Sequence, residues 1–355
     1  MAFSGRDRRG AASVIAPAYI AEVAPARLRG RLGSLQQLAI VLGIFLALAI
    51  NDLIAHAAGS PDAPFWLGAP AWRWMYWVEV APSLAYGFGA FLVPESPRYL
   101  VARRRAKEAA AVLSRIGEPD VPGRVAEIER TVGAHRPSRL ADLRSPEGLL
   151  LPVVWAGIGL SVFQQFVGIN VIFYYSTALW HSVGFTEADS MRISSITGVI
   201  NIVTTLIAIA FVDRFGRKPL LLAGSIGMSV TLGAMAWLFA RAPVDATGSP
   251  VLAGLAGPAA LVAANLYVFA FGFSWGPVVW VLLGEMFNNR IRGAALALSA
   301  CAQWIANWLV TLTFPALARR GLGVAYGLYT AAAALSFVLV ARFIRETKGR
   351  ALEEM

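Results

Sequence analysis

Apolar residues along this chain gather into blocks of about 20, separated by short polar joints, which is the length a helix needs to cross a bilayer. Blocks of that size predict spans at 32–54, 72–93, 149–179, 190–212, 218–240, 256–287, 293–317 and 322–344. No alternating apolar and polar pattern of a barrel strand runs through them, and backbone groups in lipid must bond within their own segment, so each block is predicted helical. The expected fold class is an all-α polytopic membrane protein. Between Arg98 and Glu147 the pattern changes to a polar stretch with eleven basic and seven acidic residues. Within it, RRRAKEAAAVLSRIG and VAEIERTVG space Leu, Ile and Val at helical intervals, predicting short amphipathic helices beside the membrane.

Composition agrees with this picture: 57% hydrophobic, 15% charged, mean hydropathy +0.60. The formal net charge of +10 would suit a nucleic-acid binder, but the basic residues fall in the joints RLRGR, DRFGRK, NNRIRG and RETKGR. Positive-inside bias explains them without nucleic acid and makes those joints, and the C-terminus, cytoplasmic. The intervening stretches 51–71 and 180–189 carry no Lys or Arg and are expected outside; Arg319 and Arg320 depart from the rule on an outer joint. One cysteine, Cys301, permits no internal disulfide, and His56, His135 and His181 lie too far apart to suggest a metal site. Gly321 and Gly323 form a GxG without a preceding strand, which reads as close helix packing. With no nucleophile, metal cluster or cofactor loop in evidence, the sequence suggests neither an enzyme nor a cofactor.

The chain also repeats itself. EVAPARLRG from Glu22 and EMFNNRIRG from Glu285 share Arg, Arg and Gly at identical offsets, and PESPR at Pro94 answers RETKG at Arg345. The repeats lie 263 and 251 residues apart, as in two related halves of six helices. Carrying that offset back from DRFGRK puts its twin, and the first three helices, upstream of Met1. The expectation is an N-terminally truncated fold of about eight full spans plus a partial one at 10–24, whose basic RDRR start keeps it on the cytoplasmic side. Residues 1–93 would hold what remains of the first half, 94–148 a cytoplasmic linker, and 149–355 the second half.

Polar residues inside the spans are the sharpest signal. QQFVGINVIFYYS places Gln164, Gln165 and Asn170 in an apolar run, where an amide without a partner costs about 1–3 kcal/mol. In an unbroken helix Gln165 and Asn170 would point about 140° apart. A break at Gly168 would bring Asn170 and Tyr174 toward the same pocket. Amides with aromatic neighbours suit an uncharged, hydroxyl-rich ligand better than an ion or a metal.

YIAEVAPARLRG, PESPRYL, QQFVGINVIFYYS, DRFGRKPL, GPVVWVLLGEMF and RETKG occur here in order over nearly the whole chain. With these motifs the chain resembles the sugar porter family of the major facilitator superfamily, which includes xylose–proton symporters and facilitative glucose transporters. The resemblance implies alternating-access transport of a neutral monosaccharide, hexose or pentose, through the plasma membrane, with proton coupling left open. It implies sugar contacts from Gln164, Gln165 and Asn170, joined by Gln37, Asn201, Gly276, Trp280, Gln303 and Trp304. Trp304 and Trp308, four residues apart, serve equally well as lipid-facing or packing residues, whereas Trp280 beside Gly276 and Pro277 is better placed to stack on a sugar. A second set, Glu22, Arg29, Glu95, Arg98, Asp213, Arg214, Arg217, Glu285, Arg292 and Glu346, would latch the cytoplasmic sides together. The first half's partner loop for Glu22 and Arg29 is not in this chain. Alternatives at this stage are a non-transporting remnant, a mis-started gene product and a sugar sensor.

Overall fold

A computed structural model describes residues 19–20, 29–134, 140–182, 184–243, 250–252, 254–288 and 290–348. Glu22 and nearly all of the partial span at 10–24 lie outside them, as does the side chain of Arg29. Fifteen α-helices make up the described fold, with isolated bridges but no strands: α1 Arg29–Ala58, α2 Ala71–Val78, α3 Val80–Leu92, α4 Pro97–Ala102, α5 Ala106–Arg115, α6 Val121–Ala134, α7 Pro152–Phe166, α8 Ile169–Tyr174, α9 Ser176–Ser182, α10 Glu187–Phe215, α11 Arg217–Arg241, α12 Ala256–Gly272, α13 Trp275–Met286, α14 Arg292–Arg320 and α15 Leu322–Phe343. Among the described residues, seven segments are long and apolar enough to cross a membrane.

The expected span at 72–93 is the exception, being divided into α2 and α3 at Glu79. Pro82 supplies the cause. It has no N–H to bond the Val78 carbonyl, and its ring crowds that turn. Other ends also follow the sequence: Pro152 opens α7 at its first turn, the Thr186 hydroxyl accepts from the Asp189 N–H at the start of α10, and the Ser96 hydroxyl accepts from the Tyr99 N–H at α4.

One apolar core runs through α7 to α15, with Trp275, Tyr267, Tyr326, Met228 and Met235 fully buried. α11 packs on α15 and α12, and α14 on α7. Small residues allow the close approaches: a Cβ on Gly224 would collide with Ser274, and one on Gly323 would lie 2.9 Å from Ala240 Cα, in keeping with the packing role read from the GxG. α1 leans on α10 and α13, while α3 buries none of its residues. The amphipathic helices expected at 98–147 form their own small core from Leu100, Val101, Ala109, Val112, Leu113 and Ile128. Leu143, in a 3-10 turn at Leu140–Leu143, is instead fully buried in the main core.

Candidate substrate site and charge cluster

The site is built on two interrupted helices. Gly168 stops α7 and starts α8 with φ 84°, a left-handed backbone that an L side chain enters only at a cost. Its missing Cβ also makes room for Tyr329, whose ring would lie 2.8 Å from one. The carbonyl released by the break, on Val167, accepts the buried Tyr267 hydroxyl at 2.7 Å. The second break, Phe273–Ser274, separates α12 from α13, and there the Trp275 indole donates to Leu221 O at 3.1 Å and Ser225 Oγ at 3.0 Å on α11.

These breaks let the amides meet. Gln164 Nε2 donates to the carbonyls of Trp275 (3.0 Å) and Gly276 (3.3 Å). Gln165 is the hub: its Oε1 accepts from Asn170 Nδ2 at 2.5 Å and Asn307 Nδ2 at 3.1 Å, and its Nε2 donates to Gln164 Oε1 at 3.5 Å. Asn307 is absent from the sequence-predicted set. It sits four residues after Gln303 on α14, so the i, i+4 spacing within AQWIANW is the signal that could have found it. Tyr174 does not join the cluster and remains 55% exposed.

The other predicted residues lie on different helices. Gln37, on α1, is buried, and its Nε2 would lie 3.4 Å from a Cβ on Gly276. Asn201 is buried on α10 against Gly272, and Gln303 is buried on α14; neither side-chain oxygen has a partner among the described residues. Trp280 is 8% exposed and Trp304 46%, so the two tryptophans occupy different environments.

At the other end of α13 the chemistry is ionic. Arg217, 5% exposed, makes a two-pronged contact with Glu285 (Nε to Oε2 3.0 Å, Nη2 to Oε1 2.8 Å) and reaches Asp213 at 3.0 Å. The Thr347 hydroxyl donates to Glu285 at 2.7 Å. Glu346 caps α11: its carboxylate accepts from the backbone N–H of Arg217 (3.0 Å) and Lys218 (2.9 Å), and from Thr347 (3.0 Å) and Lys348 (2.9 Å). Partial burial pushes the Glu346 carboxyl up, but the four backbone donors outweigh it and hold it below the ordinary carboxylate value. Gly216, φ 90°, brings the chain close enough for this, since a Cβ there would lie 2.8 Å from Glu346 Oε2. Arg214 contributes its carbonyl, which accepts from Lys348 Nζ at 2.7 Å, while its side chain is exposed. Arg292 donates to Phe287 O at 3.2 Å. Glu95 is exposed and acts on Arg105 through its charge; among the described residues neither it nor Arg98 has an ion pair with the Arg217 group.

The profile of the family described as "Sugar (and other) transporter" matches residues 9–355. The chain belongs to this family. Its relatives include the "Glucose transport protein" of Synechocystis sp., 62% identical over 98% of this chain and 74% of that protein. The D-xylose-proton symporter of Escherichia coli is 38% identical over 98% of this chain and 68% of its own length. Among solved structures, a major facilitator superfamily proton:xylose symporter bound to 6-bromo-6-deoxy-D-glucose superposes with a TM-score of 0.80 at 38% identity, covering 97% of this chain and 70% of that one. The family therefore accounts for the all-α fold.

Proposed function

We infer that this chain carries a monosaccharide, hexose or pentose, across the plasma membrane by alternating access, and that it is not an enzyme. The observation that carries the reading is the buried set of neutral amides, at a break in each of two helices, whose hydrogen-bonding capacity is only partly used. Gln303 Oε1 and Asn201 Oδ1 have no partner among the described residues, and such atoms suit sugar hydroxyls, which can donate to them. In this reading Gln164, Gln165, Asn170 and Asn307 hold the sugar from one side. Gln37, Asn201, Gly276 and Gln303 complete the polar wall, and Trp280 with Trp304 offers apolar ring faces. Glucose and xylose relatives support the substrate class.

The Arg217–Glu285–Asp213 cluster, with Glu346 capping the start of α11, acts as the latch that opens when the bundle rocks. In the same reading Glu95, Arg98, Arg214 and Arg292 belong to the cytoplasmic face. The C-terminus is cytoplasmic, residues 94–148 form the cytoplasmic linker, and 1–93 and 149–355 belong to the two halves of the repeat.

Uptake of labelled D-glucose and D-xylose into vesicles containing this chain tests the proposal, with and without an imposed proton gradient. Saturable uptake, strongly reduced at low sugar concentration by Gln165→Leu, is expected. No uptake by inserted, folded protein would overturn transport, and sugar binding without uptake would make the chain a sensor.

A further inference from the structure

A cavity lies on the outside of the bundle, between α11 and α12, with a volume of about 500 Å³. Its walls come from Val230 and Ala234 on α11, from Leu255 just before α12, and from Ala259, Val262 and Leu266 along α12. The one polar side chain in its lining, Thr231, has its hydroxyl committed to the Gly227 carbonyl at 2.8 Å. Such a groove offers a sugar nothing to bond, and it opens on a face of two membrane-spanning helices.

Beyond the lining, toward the end of α11, the surface is not apolar. Val230, Ala234, Trp237 and Arg241 fall within about 60° of one another around α11, so they form a single stripe. The Arg241 guanidinium lies over the Trp237 ring, 4.7 Å from its centroid. The Val251 N–H donates to Pro243 O at 2.8 Å, tying the chain just past Arg241 to the segment leading into Leu255. Among the described residues no carboxylate ion-pairs with Arg241. From Arg241 down to Val230 is eleven residues, about 16 Å of helix, close to half of a hydrocarbon core about 30 Å thick.

We propose that this groove is a binding site for one membrane phospholipid, with an acyl chain along Ala234, Ala259 and Val262 and its phosphate on Arg241. The match is in both shape and charge. A slot one leaflet deep, dry along its length and cationic at its membrane-surface end, complements a phosphodiester carrying a hydrocarbon tail. The small side chains Ala234 and Ala259 create the depth, and Trp237 holds the guanidinium at the end of α11. The site lies at the end of α11 away from Arg217, so it is separate from the charge cluster.

The test uses the full chain reconstituted with palmitoyl-oleoyl phosphatidylglycerol, returned to detergent and weighed by native mass spectrometry, with melting temperature as a folding check. One lipid retained per chain is expected. Ala259→Trp, which fills the slot, should cut retention at least fivefold, and Arg241→Gln about threefold or more; Val262→Trp replaces Ala259→Trp if that variant melts early. Val324→Trp, on an exposed position of α15, should leave retention unchanged. A diazirine on the acyl chain should mark peptides of α11 and α12. Retention insensitive to the groove variants, equal loss in Val324→Trp, or marking elsewhere would overturn the proposal. Loss in Arg241→Gln with full retention in the filled slot would overturn the acyl-chain assignment.

Discussion

The two ends of α13 solve the same problem with different chemistry. At its start, Gln164 donates to the Trp275 and Gly276 carbonyls and accepts from the Gln165 hub, all neutral hydrogen bonds, while two amide oxygens on α10 and α14 remain unspent. Near its other end, Glu285 and Arg217 form a compact ionic group in which the carboxylates are fully engaged. A site meant to take and release an uncharged ligand benefits from bonds that exchange at small net cost, about 1 kcal/mol each. A latch benefits from contacts that are strong when made and costly when half-broken.

That contrast predicts an order of sensitivity. Glu285→Ala should have the largest effect, leaving the Arg217 guanidinium buried with only Asp213 beside it. A loss of about 3 kcal/mol, read as a lower melting temperature in detergent, is expected, with much of it recovered in Glu285→Ala/Arg217→Met. Full stability in the single variant would show the pair is not a latch in the folded ground state.

Gly168→Val comes next. It places a β-branched residue at φ 84° and against Tyr329, so roughly 2 kcal/mol or more of destabilisation should accompany lost sugar affinity. Wild-type affinity would sever the break from the site. Gln165→Leu should weaken sugar binding by about 10- to 100-fold, as Asn170 and Asn307 lose their acceptor, while stability changes less than in Glu285→Ala. Titration calorimetry beside a melting curve separates the two effects.

The smallest effect concerns pH. The Glu346 carboxyl is depressed in the folded state, so its stabilising contribution is present above the ordinary carboxylate value of 4.5 and is lost as pH falls through the lower folded value. Glu346→Gln should flatten the acid limb of the melting profile, and an unchanged limb would assign it to other carboxylates.

Much of this arrangement could be read from the residues. Long apolar blocks have only one way to satisfy their backbone in lipid, so the ends of α10, α11, α14 and α15 fall within a few residues of expectation. The break at Gly168 was legible because a glycine sits among amides that a straight helix would point apart. The division at Glu79 was not, since a proline inside an apolar run is compatible with either a kink or a stop until neighbouring helices decide. Asn307 was overshadowed by the tryptophans around it. Trp275 was invisible because its contribution depends on a carbonyl and an indole N–H aimed at different helices, which no spacing rule encodes.

The shortness of α13 has a mechanical consequence. It holds 12 residues, about 18 Å, too few to bend appreciably, and it is hydrogen-bonded to Gln164 at one end and ion-paired to Arg217 at the other. A displacement at Gly276 therefore arrives at Glu285 almost undiminished, as through a push-rod whose two sockets are made of different materials.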